Sequence, residues 1–123
     1  MNKITANLVV DAIEDVMPFY EKLGFTKTVE VPHEGRLGFV ILVHGATELM
    51  MQSRASIAAD VAGLEKDAYR VMLYVDVPAL EPIRQALKSW PKVVPERTTF
   101  YGAREIIVRD PAGNVVAFAS HEK

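Results

Sequence analysis

Six side chains that could contact a small molecule alternate along three β-rich segments of this 123-residue chain. Successive side chains of a strand point to opposite faces of a sheet, so residues two apart share a face. The residues that alternate with them, and so lie on the other face, include apolar side chains suited to a core, such as Leu49, Met51 and Leu73. The mixture of apolar, aromatic and charged groups is typical of ligand pockets. The sequence therefore predicts a ligand-binding face made by Asn7, Glu48, Met50, Arg70, Met72 and Tyr74.

Arg70 is the candidate anchor for an anionic ligand, because a planar guanidinium can bind a carboxylate through two parallel hydrogen bonds. Pairing with Glu48 and simple solvation are alternative interpretations of Arg70. Glu48 could equally be an ordinary exposed strand residue, and the methionines could simply fill gaps in the packing. Which residues of 100–109 face the cleft is left open by the alternation.

Other chemistries are excluded by residue types that the chain lacks. It has no cysteine, which removes disulfides, thiolate metal sites and a cysteine nucleophile. Its three histidines, His33, His44 and His121, lie in a turn, at a hairpin tip and near the end, and we interpret them as surface residues. No serine–histidine–aspartate arrangement, phosphate-binding glycine loop or dinucleotide fingerprint is present.

Charge and hydropathy indicate which partners and which location to expect. The formal net charge of −2 provides no polybasic surface for nucleic acid. The longest apolar runs, such as residues 39–43, are far shorter than the ~20 residues of a membrane helix. The first residues are too polar for a signal peptide. We therefore expect a soluble cytoplasmic protein that binds neither nucleic acid nor membrane.

The order of predicted elements repeats once along the chain. In the first half, a strand at 5–10 precedes a helix that Asp11 would cap and that ends at Gly24, followed by strands at 25–31, 37–43 and 47–52. In the second half, a strand at 70–75 precedes a helix that Pro78 would open. Three β-rich segments follow at 92–98, 103–109 and 114–119, with a turn at 110–113.

This order predicts an α+β fold in which two βαβββ modules form curved mixed sheets around a cleft. We expect a single domain over residues 1–123, with module one at about 3–53 and module two at about 69–121. The linker at about 54–68 should contain at most a short helical turn near 57–62.

Motifs in both halves resemble one known superfamily. The first helix carries FYEKLGF at residues 19–25, and the second half carries YGARE at 101–105 and VRDPAGN at 108–114. In this order and spacing they resemble the vicinal oxygen chelate superfamily, which includes glyoxalases, bleomycin-resistance proteins and extradiol dioxygenases. The resemblance covers nearly the whole chain and implies a homodimer.

The resemblance also implies where a metal would bind in this superfamily. Its metal-dependent members use four residues, typically His or Glu, and the matching positions here are Thr5, Glu48, Arg70 and Ala117. Only Glu48 is of a ligating type, and one carboxylate cannot hold a catalytic metal. The resemblance is therefore closest to the metal-free, bleomycin-resistance-like branch. It implies a protein without metal or cofactor that binds a small molecule in the cleft, in resistance or sequestration.

The sequence leaves two other functions open, and it does not decide whether the protein is an enzyme. One is a divalent-metal-dependent lyase, isomerase or dioxygenase of the same superfamily that uses Glu48. The other is a non-catalytic dimeric interaction protein.

Overall fold

The computed structural model describes residues 2–121, and Met1, Glu122 and Lys123 lie outside the described part of the chain. The chain divides into two compact units, with the division between Tyr69 and Arg70. Each unit contains one four-stranded sheet.

The first unit is a βαβββ module. Its sheet has the order β1-β4-β3-β2, in which β1 is parallel to β4 and the other neighbours are antiparallel. Its elements are β1 (Asn7–Val10), α1 (Ile13–Lys22), β2 (Thr26–His33), β3 (Arg36–His44) and β4 (Thr47–Ser53).

The core of the first unit lies between α1 and one face of the sheet. The helix contacts β3 and β4, and its stripe of Ile13, Val16, Phe19 and Tyr20 is buried. Fully burying a large apolar side chain contributes about 1.5–3 kcal/mol to stability. The buried residues of the facing strands, all 7% exposed or less, are Leu8, Val10, Val40, Leu42, Leu49 and Met51.

The start of α1 differs from the sequence prediction by one residue. Ala12 occupies the N-cap and makes no side-chain cap bond. The carboxylate of Asp11 instead accepts a hydrogen bond from Arg54 Nε at 2.7 Å. The predicted end is confirmed, since Gly24 adopts a φ of 103°, in the left-handed region that favours glycine.

The segment after β4 contains more helix than the sequence predicted. Helix α2 (Arg54–Asp60) follows β4 directly, and a short 3-10 turn (Leu64–Lys66) comes later. The Ser53 hydroxyl accepts a hydrogen bond from Ser56 N at 3.1 Å and so caps α2.

The second unit repeats the first. Its sheet has the order β5-β8-β7-β6, in which β5 is parallel to β8, so both sheets are mixed and the α+β class with two βαβββ modules is confirmed. Its elements are β5 (Met72–Asp76), α3 (Glu81–Ala86), β6 (Arg97–Thr98), β7 (Arg104–Arg109) and β8 (Val115–Ser120).

Two details of the second unit correct the prediction. Pro82, not Pro78, lies in the first turn of the helix. The β-rich segment at 92–98 forms a strand only over Arg97–Thr98.

The core of the second unit includes both faces of β7 and β8, because Ile106, Ile107, Val116 and Ala117 are all 7% exposed or less. Within residues 2–121, no helix is long and apolar enough to cross a membrane.

Candidate functional site on two sheet faces

The three predicted residues of the first half share one face of its sheet. Asn7 pairs with Met50, and Glu48 lies two residues before Met50 on β4. The opposite face of β4 carries Leu49 and Met51, which are buried where α1 contacts the strand. We call the face turned away from α1 the Glu48 face.

Hydrogen bonds connect the polar groups of the Glu48 face. Lys3 Nζ donates to Glu48 Oε1 at 3.1 Å, and Asn7 Nδ2 donates to Gln52 Oε1 at 3.1 Å. The Glu48 side chain is 26% exposed and that of Lys3 is 60% exposed. An ion pair this accessible to water contributes only about 0–1 kcal/mol. A ligand could therefore displace Lys3 from Glu48 at little cost.

Met72 and Tyr74 share one face of the second sheet. Met72 pairs with Val115 and Tyr74 pairs with Ala117 on β8. Their side chains are exposed, at 63% and 51%. We call this the Tyr74 face.

Glu105 lies on the Tyr74 face and is its most buried charged group. Glu105 and Asp76 both pair with Ala119, from opposite sides of β8. The Glu105 side chain is 4% exposed. Its two carboxylate oxygens accept hydrogen bonds from Arg97 Nε at 3.0 Å and from the Tyr101 hydroxyl at 3.0 Å. On β7, therefore, Glu105 faces the Tyr74 side of the sheet and its neighbour Arg104 faces the opposite side.

Arg104 points away from the Tyr74 face and belongs to a separate ion-pair network. Its Nη2 donates to Glu96 Oε2 at 2.8 Å, and Glu96 also accepts two bonds from Arg84, each 2.9 Å long. The hydrogen bonds from Arg84 lower the pKa of Glu96, and both arginine charges add to this effect. This network joins α3 to β7 beside the sheet.

Aromatic groups extend the polar cluster around Glu105. The rings of Tyr101 and His121 are stacked, with centroids 6.3 Å apart, and His121 Nδ1 lies 3.3 Å from Asp76 Oδ1. Desolvation raises the pKa of the Tyr74 hydroxyl, and a hydrogen bond with Tyr101 adds to the increase. Tyr74 therefore stays a protonated phenol at neutral pH. We call Tyr74, Asp76, Arg97, Tyr101, Glu105 and His121 the Glu105 cluster.

The sequence prediction missed most of this cluster. Tyr101 lies in the segment 100–109, for which the sequence left open which residues face the cleft, and His121 was interpreted as a surface histidine. In the sequence, both faces of β7 carry apolar residues. The alternation of polar and apolar residues therefore did not indicate which face Glu105 would occupy. The pairing of Arg97 with Glu105 could be inferred only once the antiparallel register of β6 and β7 is known.

Arg70 lies just before β5, against the turn between β7 and β8. A Cβ atom on Gly113 would sit 3.2 Å from Arg70 Nε, so the absent side chain makes room for the guanidinium. The turn is rigid because Asp110 accepts backbone hydrogen bonds of 2.9 Å from Ala112 and Asn114. Asn114 Oδ1 then accepts from Val71 N at 3.0 Å, which fixes the chain next to Arg70. Arg70 is an exposed residue, and within residues 70–121 its guanidinium has no carboxylate partner.

Comparison with known proteins places the chain in a family. Residues 2–118 match the model of the glyoxalase/bleomycin resistance protein/dioxygenase superfamily. The chain belongs to this superfamily, and the resemblance drawn from its motifs is confirmed. Among curated proteins no significant match is found.

Solved structures with low sequence identity share the fold. A glyoxalase/bleomycin resistance protein/dioxygenase from Nocardioides has a TM-score of 0.76 and 20% identity, covering 100% of this chain and 85% of its own. A lactoylglutathione lyase from Agrobacterium tumefaciens has a TM-score of 0.75 and 16% identity, with 98% and 94% covered. A bleomycin-binding protein complexed with bleomycin has a TM-score of 0.66 and 20% identity, with 99% and 100% covered.

The metal site of the metal-dependent members does not fit the residues present. Continuing the register of Asn7 and Met50 places Thr5 beside Glu48, whose carboxylate is held by Lys3. Ala117 has no donor atom, and its parallel neighbour is Tyr74. Within residues 2–121, no three His, Cys, Asp or Glu side chains converge as metal ligands would. A guanidinium, a methyl group and a threonine hydroxyl cannot complete the site around one carboxylate.

Proposed function

We propose that this protein binds a small organic molecule on its Glu48 and Tyr74 faces without a metal ion, in a resistance or sequestration role. The observation that carries this proposal is the replacement of three of the four expected metal ligands by Thr5, Arg70 and Ala117, while the sheet faces keep polar and aromatic groups suited to a ligand. We propose further that the protein works as a homodimer in the cytoplasm.

The binding residues have distinct proposed roles. Met50 and Met72 supply adaptable apolar surface, since an unbranched thioether side chain conforms to irregular shapes. Asn7 and Glu48 supply an amide and a carboxylate, and Tyr74 supplies an aromatic ring with a hydroxyl. Pockets that bind drug-sized molecules combine such apolar walls with a few oriented polar groups.

Arg70 is the residue proposed to bind an anionic group of the ligand. A guanidinium without a carboxylate partner keeps its hydrogen-bond donors available for an anionic group of the ligand. Gly113 makes room for this arrangement, since a side chain there would crowd the Arg70 guanidinium. On the same sheet Asp76, whose side chain is 75% exposed, provides a negative charge, which would orient a ligand that carries both polarities.

The test begins with chelator-treated protein. A thermal-shift screen finds ligands through the rise in unfolding temperature that binding causes, and calorimetry then gives the Kd for wild type and variants. For an anionic hit, Arg70→Ala should weaken binding by roughly 1.5–3 kcal/mol, the cost of losing a charge-assisted hydrogen bond. Arg36→Ala, which removes the same charge from an exposed position of the first unit, is the matched control.

Three results would contradict the proposal. If elemental analysis of untagged protein finds about one tightly held transition metal per chain, the alternative of a metal-dependent lyase, isomerase or dioxygenase is favoured. If Arg70→Ala and Arg36→Ala bind an anionic hit equally well, Arg70 does not anchor it. If a broad screen gives no hit at all, a non-catalytic interaction protein is the better interpretation.

A further inference from the structure

A groove of about 410 Å³ lies at the edge of the second sheet, beside the end of β7. The chain that forms it runs next to β7, because Val93 N donates to Ile107 O at 2.9 Å. The volume falls in the range of about 300–1,000 Å³ usual for small-molecule sites. We call it the Trp90 groove, and its lining residues are Trp90, Pro91, Lys92, Val93 and Arg109.

Hydrogen bonds hold the walls of the Trp90 groove in place. The indole Nε1 of Trp90 donates to the carbonyl of Arg109 at 2.8 Å, which ties the aromatic wall to the end of β7. Lys92 Nζ donates to the carbonyls of Leu87 and Trp90, at 2.8 and 2.5 Å. Lys92 thereby caps the C-terminal end of α3, where a cation is favourable. The aromatic ring and the ammonium group are thus positioned before any ligand binds.

Both charged residues of the groove are cations. Within residues 2–121 neither Lys92 nor Arg109 forms an ion pair with a carboxylate. Arg109 uses Nη1 for the carbonyl of Gly113 at 3.2 Å and keeps its other donors. Lys92 uses two of its three N–H groups and keeps one. The groove therefore offers apolar surface together with uncompensated positive charge.

We propose that the Trp90 groove binds a small aromatic anion, an aryl carboxylate being the simplest case. The aromatic ring packs against Trp90, Pro91 and Val93, and the carboxylate accepts hydrogen bonds from Arg109 and Lys92. A guanidinium matches the geometry of a carboxylate better than that of a neutral amide. The groove contains none of the six residues proposed to bind on the Glu48 and Tyr74 faces and no member of the Glu105 cluster. Arg109 borders the Tyr74 face, because Arg109 and Met72 both pair with Val115.

Because the chain contains a single tryptophan, its indole N–H gives one unambiguous signal in a two-dimensional NMR spectrum, and that signal comes from a wall of this groove. The probe is β-naphthoate, and β-naphthamide is the uncharged control of the same shape. We expect naphthoate to shift the Trp90 indole signal saturably and to bind at least about tenfold more tightly than naphthamide.

Variants identify the groups that bind the anion. Arg109→Gln should weaken naphthoate binding about tenfold or more and leave naphthamide binding unchanged. Arg109→Lys should retain part of the affinity, because it keeps the charge and loses the planar fork. Lys66→Gln, at an exposed position of the first unit, removes the same charge and should have no effect. The backbone spectrum of each variant shows whether it is folded.

Two results would overturn the proposal. Equal affinities for naphthoate and naphthamide would show that the cations do not participate. An indole signal that shifts with protein concentration and does not respond to naphthoate would show that a second copy of the chain covers the groove instead.

Discussion

Replacing Arg97 with alanine tests whether the Glu105 cluster is the polar centre of the Tyr74 face. The Glu105 side chain is 4% exposed and has two donors, Arg97 and Tyr101. Losing a hydrogen bond to a charged group costs roughly 1.5–3 kcal/mol. The Arg97 side chain is itself 55% exposed, so water can replace part of the lost bond. We therefore expect Arg97→Ala to lower the free energy of unfolding by about 1–2 kcal/mol.

A double-mutant cycle separates this interaction from other effects of removing the side chain. In the Glu105→Gln variant the buried group carries no charge, and the Tyr101 hydroxyl can still donate to the amide oxygen. On that background Arg97→Ala should cost less than about 0.5 kcal/mol, so the coupling energy should be about 1 kcal/mol. Arg97→Lys should fall between Arg97→Ala and wild type, because it keeps the positive charge.

The assay is urea unfolding followed by the fluorescence of Trp90, which lies in the same unit, and by circular dichroism. Equal costs of Arg97→Ala on the wild-type and Glu105→Gln backgrounds would refute the reasoning, because they would mean that no energy depends on the pair. A crystal structure of Arg97→Ala with the Glu105 side chain turned out to solvent would refute it independently.

Three further predictions concern stability. Asp110→Ala should lower the free energy of unfolding, measured with urea, by about 2–4 kcal/mol, since Asp110 accepts three hydrogen bonds within the turn. A loss of stability no larger than that of an ordinary surface substitution would contradict this role. Because the folded pKa of Glu96 is lowered from 4.5, its carboxylate stabilises the fold above that pH, and the stability is lost as the pH falls through the folded pKa. Glu96→Gln should therefore be less stable than wild type at neutral pH and match it at acid pH, and a pH-independent difference would count against the Arg84 pair. Gly24→Ala should lower the thermal unfolding temperature, because φ is 103° and the new Cβ would lie 2.9 Å from His44 Cδ2; an unchanged temperature would contradict this.

The repeated βαβββ order could be predicted because most local signals agree with the final packing. On β4 the residues Leu49 and Met51 alternate with Glu48 and Met50, and only the first pair is buried. The stripe of α1 from Ile13 to Tyr20 has the matching helical spacing. Local patterns of this kind identify a fold when propensity and burial point the same way.

The parts that could not be predicted depend on long-range pairing or on competing local signals. Lys3 and Glu48 meet across 45 residues of sequence, and no local pattern indicates such a pair. Pro78 and Pro82 both lie near the start of an apolar helical stripe, and the helix begins at Glu81, directly before the second of them. Strand β7 is buried on both faces, so alternation could not assign Glu105 to the Tyr74 face. Its partner Arg97 lies in a strand of only two residues, too short to give a periodic signal.

Metal dependence of ligand binding is the measurement that tests the central claim most directly. A ligand found by thermal shift is titrated by calorimetry into protein dialysed against a chelator, and again after one equivalent of zinc, nickel or manganese is added back. Because Thr5, Arg70 and Ala117 occupy three of the four ligand positions, we predict the same Kd in every titration. Binding that is lost on chelation and restored by one of the metals would contradict a metal-independent binding protein.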